Sequence, residues 1–68
     1  MFAVRVTTPY RSYIHAESMT RREAREEMFV VAERIRDIFL PASIEVVEDF
    51  HGMLVRYNQV LVNQDERS

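Results

Sequence analysis

An α+β fold, ββαββ, with an antiparallel sheet and one amphipathic helix packed on one face, is what this 68-residue sequence predicts. Three observations predict it: a helical apolar stripe between Thr20 and Phe39, period-two alternation before it, and two apolar runs joined by a glycine turn after it. If the first hairpin does not form, the order becomes βαββ.

The first strand comes from Phe2, Val4 and Val6, which alternate with Ala3, Arg5 and Thr7. Thr8-Pro9-Tyr10-Arg11 supplies a turn, with proline preset for its second position. The return strand is expected from about Ser12 to Glu17, with Ile14 and Ala16 inward and Tyr13, His15 and Glu17 outward. Thr20-Arg21-Arg22-Glu23 then fits a capping box, in which threonine and glutamate satisfy each other's backbone amides. Ala24, Met28, Val31, Ala32, Ile35 and Phe39 recur at three- and four-residue steps, so they form the core stripe. Pro41 ends the helix near Phe39 or Leu40. Ile44, Val46 and Val47 open a third strand, His51-Gly52 makes the second hairpin turn, and the last strand runs from about Met53 to Val62. In that strand Met53, Val55 and Tyr57 share one parity while Val60 and Val62 share the other, which implies a bulge, an end at Tyr57 or burial on both faces. Residues 1–62 form the domain, and the polar segment 63–68 is expected to be a flexible tail.

A chain of this size buries only about 60% of its unfolded surface, and oligomerisation is a common remedy for the marginal stability that results. Cysteine is absent, so neither disulfides nor a thiolate zinc site adds stability. The sequence contains no apolar run of membrane-spanning length and no secretory pattern at Met1-Phe2-Ala3-Val4-Arg5, and a cytoplasmic location is expected. Counting arginines against acids, residues 1–19 carry +1, residues 20–41 zero and residues 42–68 −3. The acidic C-terminal part argues against a polyanion partner, even though Tyr10, Tyr13, Phe50 and Tyr57 offer rings that can stack on bases. All nine basic residues are arginine, whose planar fork and weak hydration suit protein interfaces.

No catalytic constellation emerges, and no enzyme is expected. His15-Ala16-Glu17 matches half of the zinc deaminase signature but lacks the cysteine pair. His15 and His51 alone make a poor metal site, and a single glycine, Gly52, cannot build a phosphate-cradling loop. Glu48 and Asp49 are adjacent in a strand and point to opposite faces. No metal and no cofactor is expected.

Function is sought instead in misplaced apolar residues. Phe29 lies about 100° from Met28 on the helical wheel, among Arg22, Arg25, Glu33 and Arg36, and Val30 falls near Glu26, Arg34 and Asp37. An aromatic ringed by arginines is a composition favoured at interface hot spots, so Phe29, Val30, Arg22, Arg25 and Arg36 form the expected protein-binding set. One helix covers one face of the sheet, and Tyr13, Val47, Leu54, Val60 and Val62 are expected on the other, as a self-association surface of a homo-oligomer.

His15-Ala16-Glu17-Ser18, a capped helix and Ser43-Ile44-Glu45-Val46-Val47 resemble the strand, helix and strand of small phage-encoded proteins that inhibit host enzymes, including the phage-type inhibitor of bacterial RNA polymerase. That resemblance covers about half of the chain and implies a non-catalytic inhibitor that occludes the surface of a host enzyme such as RNA polymerase or a nuclease. The helix with Ser43-Ile44-Glu45-Val46-Val47 and Tyr57-Asn58-Gln59-Val60-Leu61-Val62 also resembles dodecin, which implies a flavin-carrying assembly as the alternative. The chain has no tryptophan to stack on that flavin.

Overall fold

The computed structural model describes residues 1–64. Its elements are β1 (Phe2–Thr7), β2 (Ser12–Met19), α1 (Arg21–Asp37), β3 (Ala42–Phe50) and β4 (Met53–Val62), the expected ββαββ order. All neighbouring strands are antiparallel, in the order β2-β1-β3-β4. β2 and β3 therefore run parallel to each other on either side of β1. A chain that leaves one and enters the other must cross a face of the sheet, and α1 makes that crossing.

Local chemistry places each boundary. The Thr8 hydroxyl accepts from the amides of Tyr10 and Arg11, while the Thr8 amide donates to the Arg11 carbonyl at 2.8 Å, closing the first hairpin. Thr20 and Glu23 form the capping box, with reciprocal bonds of 3.1 and 3.0 Å. At the second hairpin His51 and Gly52 both have positive φ, 52° and 82°, the geometry of a two-residue turn whose twist matches that of the strands. The Asp49 carboxylate accepts from the Gly52 amide.

The core lies between α1 and one sheet face. Ala24, Met28, Val31, Ala32 and Ile35 of the helix are buried against Val4, Val6, Ala42, Ile44, Val46 and Val62, with Phe2, Tyr13, Leu40 and Val60 packed around them. Phe39 does not complete the stripe. The helix ends two residues earlier, and Phe39 sits in the left-handed region at φ 57° and 83% exposed, while Leu40 packs against the core instead. Asn63, also at positive φ, donates its side-chain amide to the carbonyls of Ile35 and Leu40 at 3.0 and 3.2 Å, and Gln64 donates to that of Ala42. Asn63, the first residue of the expected tail, thus seals the helix C-terminus while Gln64 holds the start of β3, and residues 65–68 lie outside the described part.

Two of the three register shifts in the sheet set the faces; the third lies between Phe2 and Val4. Opposite Val4 and Arg5 stand Ala16 and Ile14, which leaves His15 as the extra residue of β2. Opposite Val46 and Val47 stand Asn58 and Arg56, which leaves Tyr57 as the extra residue of β4. The second bulge accounts for the parity switch read in the sequence. The first corrects an expectation: Tyr13 packs on the core side and Ile14 is exposed, the reverse of plain alternation.

A left-handed phenylalanine with an exposed ring costs stability and returns little. Phe39→Gly is expected to raise stability by about 1 kcal/mol, and Asn63→Ala to lower it by about 1–2 kcal/mol through the lost helix-terminal bonds. Urea denaturation of both variants checks this; a loss in Phe39→Gly means that the ring has a folding role.

Candidate functional site

On the helix, Phe29 is 50% exposed and Val30 46%, and Arg22, Arg25 and Arg36 are all exposed. The structure separates this set. At about 100° per residue, Arg21, Arg25, Phe29 and Arg36 fall on one flank of the core stripe and Glu27 and Arg34 on the other, with Val30 on the outward side. Contacts with the sheet fix the direction of each flank. Glu27 receives a 2.9 Å bond from His15 of β2, whereas the Arg21 guanidinium stacks 4.9 Å from the ring centre of Tyr57 in β4. The basic flank therefore overhangs β4, one edge of the sheet, and the acidic Glu27 faces β2, the other edge.

Between that basic flank and β4 lies an open groove of about 700 Å³, lined by Arg21, Arg22, Arg25, Glu26, Phe29 and Asn58. Arg22 leans toward Glu26 at 3.7 Å, an exposed pair of small energetic worth. Arg36 lies two turns farther along, beside Glu33 at 3.6 Å, and is not part of the groove wall. The side-chain oxygen of Asn58 is buried and has no hydrogen-bond partner. A buried acceptor left without a donor costs about 1–3 kcal/mol. The sequence marked Phe29, Arg22 and Arg25 by helical spacing; Arg21 and Asn58 escaped it because their roles come from the bulge in β4.

The opposite sheet face differs from the expected apolar surface. Val62 is buried in the core under the helix, and Tyr13 and Val60 pack around that core, so these three are corrected from outer-face to core-side positions. Val47 and Leu54 do lie on the open face, around a depression of about 410 Å³ that Met1, Ala3, Ile14, Glu17 and Asp49 also line. Val47 is fully covered by its neighbours, leaving Leu54, Ile14 and Met1 accessible around the depression; Leu61, opposite Ser43, is a further exposed apolar group on the same face. Across the middle of this face runs a charged ladder. Glu45, only 4% exposed, accepts from Arg5 Nε at 2.9 Å through one carboxylate oxygen and from Arg56 Nη1 at 3.0 Å through the other. Gln59 and Ser43, and Thr7 and Ser12, extend the polar band by side-chain bonds of 2.8 and 3.1 Å.

Burial works against the Glu45 charge, but the two arginine hydrogen bonds and the arginine charges outweigh it and hold the carboxyl below its ordinary pKa of 4.5. Tyr57 shifts the other way. Its hydroxyl donates to Glu48 at 2.7 Å, which favours the protonated phenol and raises its pKa. Tyr57 also packs edge-on to Phe2 at 5.3 Å, so it and Tyr13 lie on the helix side and do not form a base-stacking platform on the open face. Among the described residues no three acidic or histidine side chains converge on a metal-sized site, and no helix is long and apolar enough to cross a membrane.

A carboxyl with a depressed folded-state pKa stabilises the fold above its unfolded pKa and loses that contribution as pH falls through the folded value. The Glu45 contribution is therefore expected to be intact at neutral pH and to vanish as pH drops from about 4.5 downward. Glu45→Gln should lower stability at pH 7 by about 2 kcal/mol and flatten the acid limb of the stability curve. Denaturation midpoints taken from neutral to acid pH test this; identical acid limbs in the two proteins exclude the ladder as their source.

Comparison with known proteins yielded no matching family model, no matching curated protein and no matching solved structure.

Proposed function

We propose that this chain is a small, non-catalytic, cytoplasmic protein-binding module that self-associates and modulates or inhibits a partner protein by surface contact. One observation carries the reading: a half-exposed phenylalanine, Phe29, stands among arginines on the wall of an open groove at the edge of the sheet. Aromatic and arginine side chains dominate the binding energy of protein interfaces, and the ring supplies apolar area while guanidinium groups bond in the plane. This occluding mode of action is the one that the resemblance to phage-encoded inhibitors implies. For self-association the supporting feature is the exposed Leu54 beside Ile14 on the open sheet face, next to a depression that a second copy can fill.

Because Phe29 and Val30 project in different directions, their substitution separates the two surfaces. Phe29→Ala is expected to weaken affinity for a partner, once captured and identified, by about 30-fold or more, with Val30→Ser changing it less. Both residues are half exposed, so melting temperatures should stay near that of the parent. Leu54→Glu is expected to reduce the particle mass in light scattering to that of one chain. Capture that survives Phe29→Ala at full affinity removes the groove from the reading, and an unchanged mass for Leu54→Glu removes the open face.

A further inference from the structure

The groove beside Phe29 has a floor as well as a wall. β4 pairs with β3 on one side only and ends the sheet, so the backbone N–H and C=O groups along its other side are open to a further strand. Above that edge project Arg21, Arg22 and Arg25, and of the acidic residues on α1 only Glu26 shares the groove lining with them. At the level of the bulge the buried oxygen of Asn58 lacks a donor. The open edge and the arginines call for one ligand that combines an extended backbone with carboxylate side chains. We propose that the groove takes an extended acidic segment of the partner protein, which adds to β4 as a fifth strand while its carboxylates lie under the arginines.

Backbone hydrogen bonds to the edge supply affinity in this mode of recognition, and side chains of one parity supply specificity. Residues of the added strand that point to the helix side meet Arg25 and Phe29, so an acidic residue followed two positions on by an apolar one fits best. A second copy of this chain is a poor occupant. Pairing β4 with its own symmetry mate places two helices on the same side of a continuous sheet, with their arginine flanks facing each other. A nucleic acid strand has phosphates for the arginines but no amide ladder for the edge.

This inference rests on the protein-binding reading of the groove and names the chemistry of the partner. The probe is a short fluorescein-labelled peptide of repeating Glu-Thr-Val-Thr, which puts glutamate and valine on one face, titrated with the full chain and followed by anisotropy beside its lysine-valine counterpart, with lysine in place of glutamate. Binding is expected, weaker at physiological than at low salt and about tenfold weaker to Arg25→Glu. The lysine-valine peptide and a peptide N-methylated at alternate residues should not bind. No binding of the acidic peptide, equal binding of the N-methylated one, or tighter binding of a single-stranded oligonucleotide overturns the proposal. If the acidic peptide fails while Phe29→Ala still abolishes capture of the natural partner, only the acidic strand is wrong; if Phe29→Ala is silent as well, the groove itself is not the contact.

Discussion

A helix of seventeen residues can shield one side of a four-stranded sheet and no more. Everything else in this molecule follows from how the unshielded side and the two edges are handled. On the shielded side aliphatic residues of α1, β1, β3 and β4 make a conventional core. On the other, the strand at the centre presents a carboxylate rather than an aliphatic group. Glu45 is covered by its two arginine partners, whose stems spread over the sheet while their charged ends meet the carboxylate. Three strands are thereby tied across their direction, since Arg5, Glu45 and Arg56 belong to β1, β3 and β4. The open face is amphiphilic as a result, polar through its middle and apolar near Leu54 and Ile14.

The two edges are handled unequally. At the β2 edge the extra residue of a bulge, His15, reaches Glu27 of the helix. That contact draws the helix flank onto the strand. The β4 edge is also bulged, yet its extra residue, Tyr57, turns inward to Phe2 and Glu48; Val60 and Val62 beyond it lie under α1, while the outer backbone edge of the strand has no partner strand and only the arginine overhang beside it. A bulge and nearby charge normally protect an edge from unwanted pairing. Here three arginines stand against one glutamate, Glu26, and under the proposed reading that positive excess disfavours basic and self partners and favours acidic ones.

Much of this fold was legible in the residues. The capping box at Thr20, the turn at Pro9 and the turn at His51-Gly52 act through contacts within a few residues, and each appears where local chemistry puts it. The helical stripe from Ala24 to Ile35 was equally legible because periodicity reports burial directly. What escaped was strand facing. Tyr13 and Ile14 are both apolar, so alternation cannot choose which points inward; the bulge at His15 decides, and it depends on Val4 and Arg5 of another strand. The sequence signalled a break in β4 through its parity switch but did not identify Tyr57 as the extra residue. Without that choice Val60 and Val62 go to the wrong face and the roles of Asn58 and Arg56 stay hidden. Phe39 misled for a different reason: its spacing fits the stripe, but the helix unwinds into a left-handed residue before reaching it, under the seal that Asn63 provides from the far end of the chain.

Marginal stability and partner binding are linked in a domain of this size. At typical values per residue its folding free energy is roughly 3–10 kcal/mol, and a left-handed phenylalanine at the helix end and an orphaned amide oxygen reduce what the free chain retains. A partner that binds only the folded form at a concentration a hundredfold above its dissociation constant adds about 2.7 kcal/mol, a large share of that total. Phe29, half exposed in the free protein, is the apolar group that an added strand beneath the arginines would cover under the proposed reading, so its area counts toward binding more than toward solitary folding. Such an arrangement is expected where contact with another protein, rather than solitary folding, has shaped the surface.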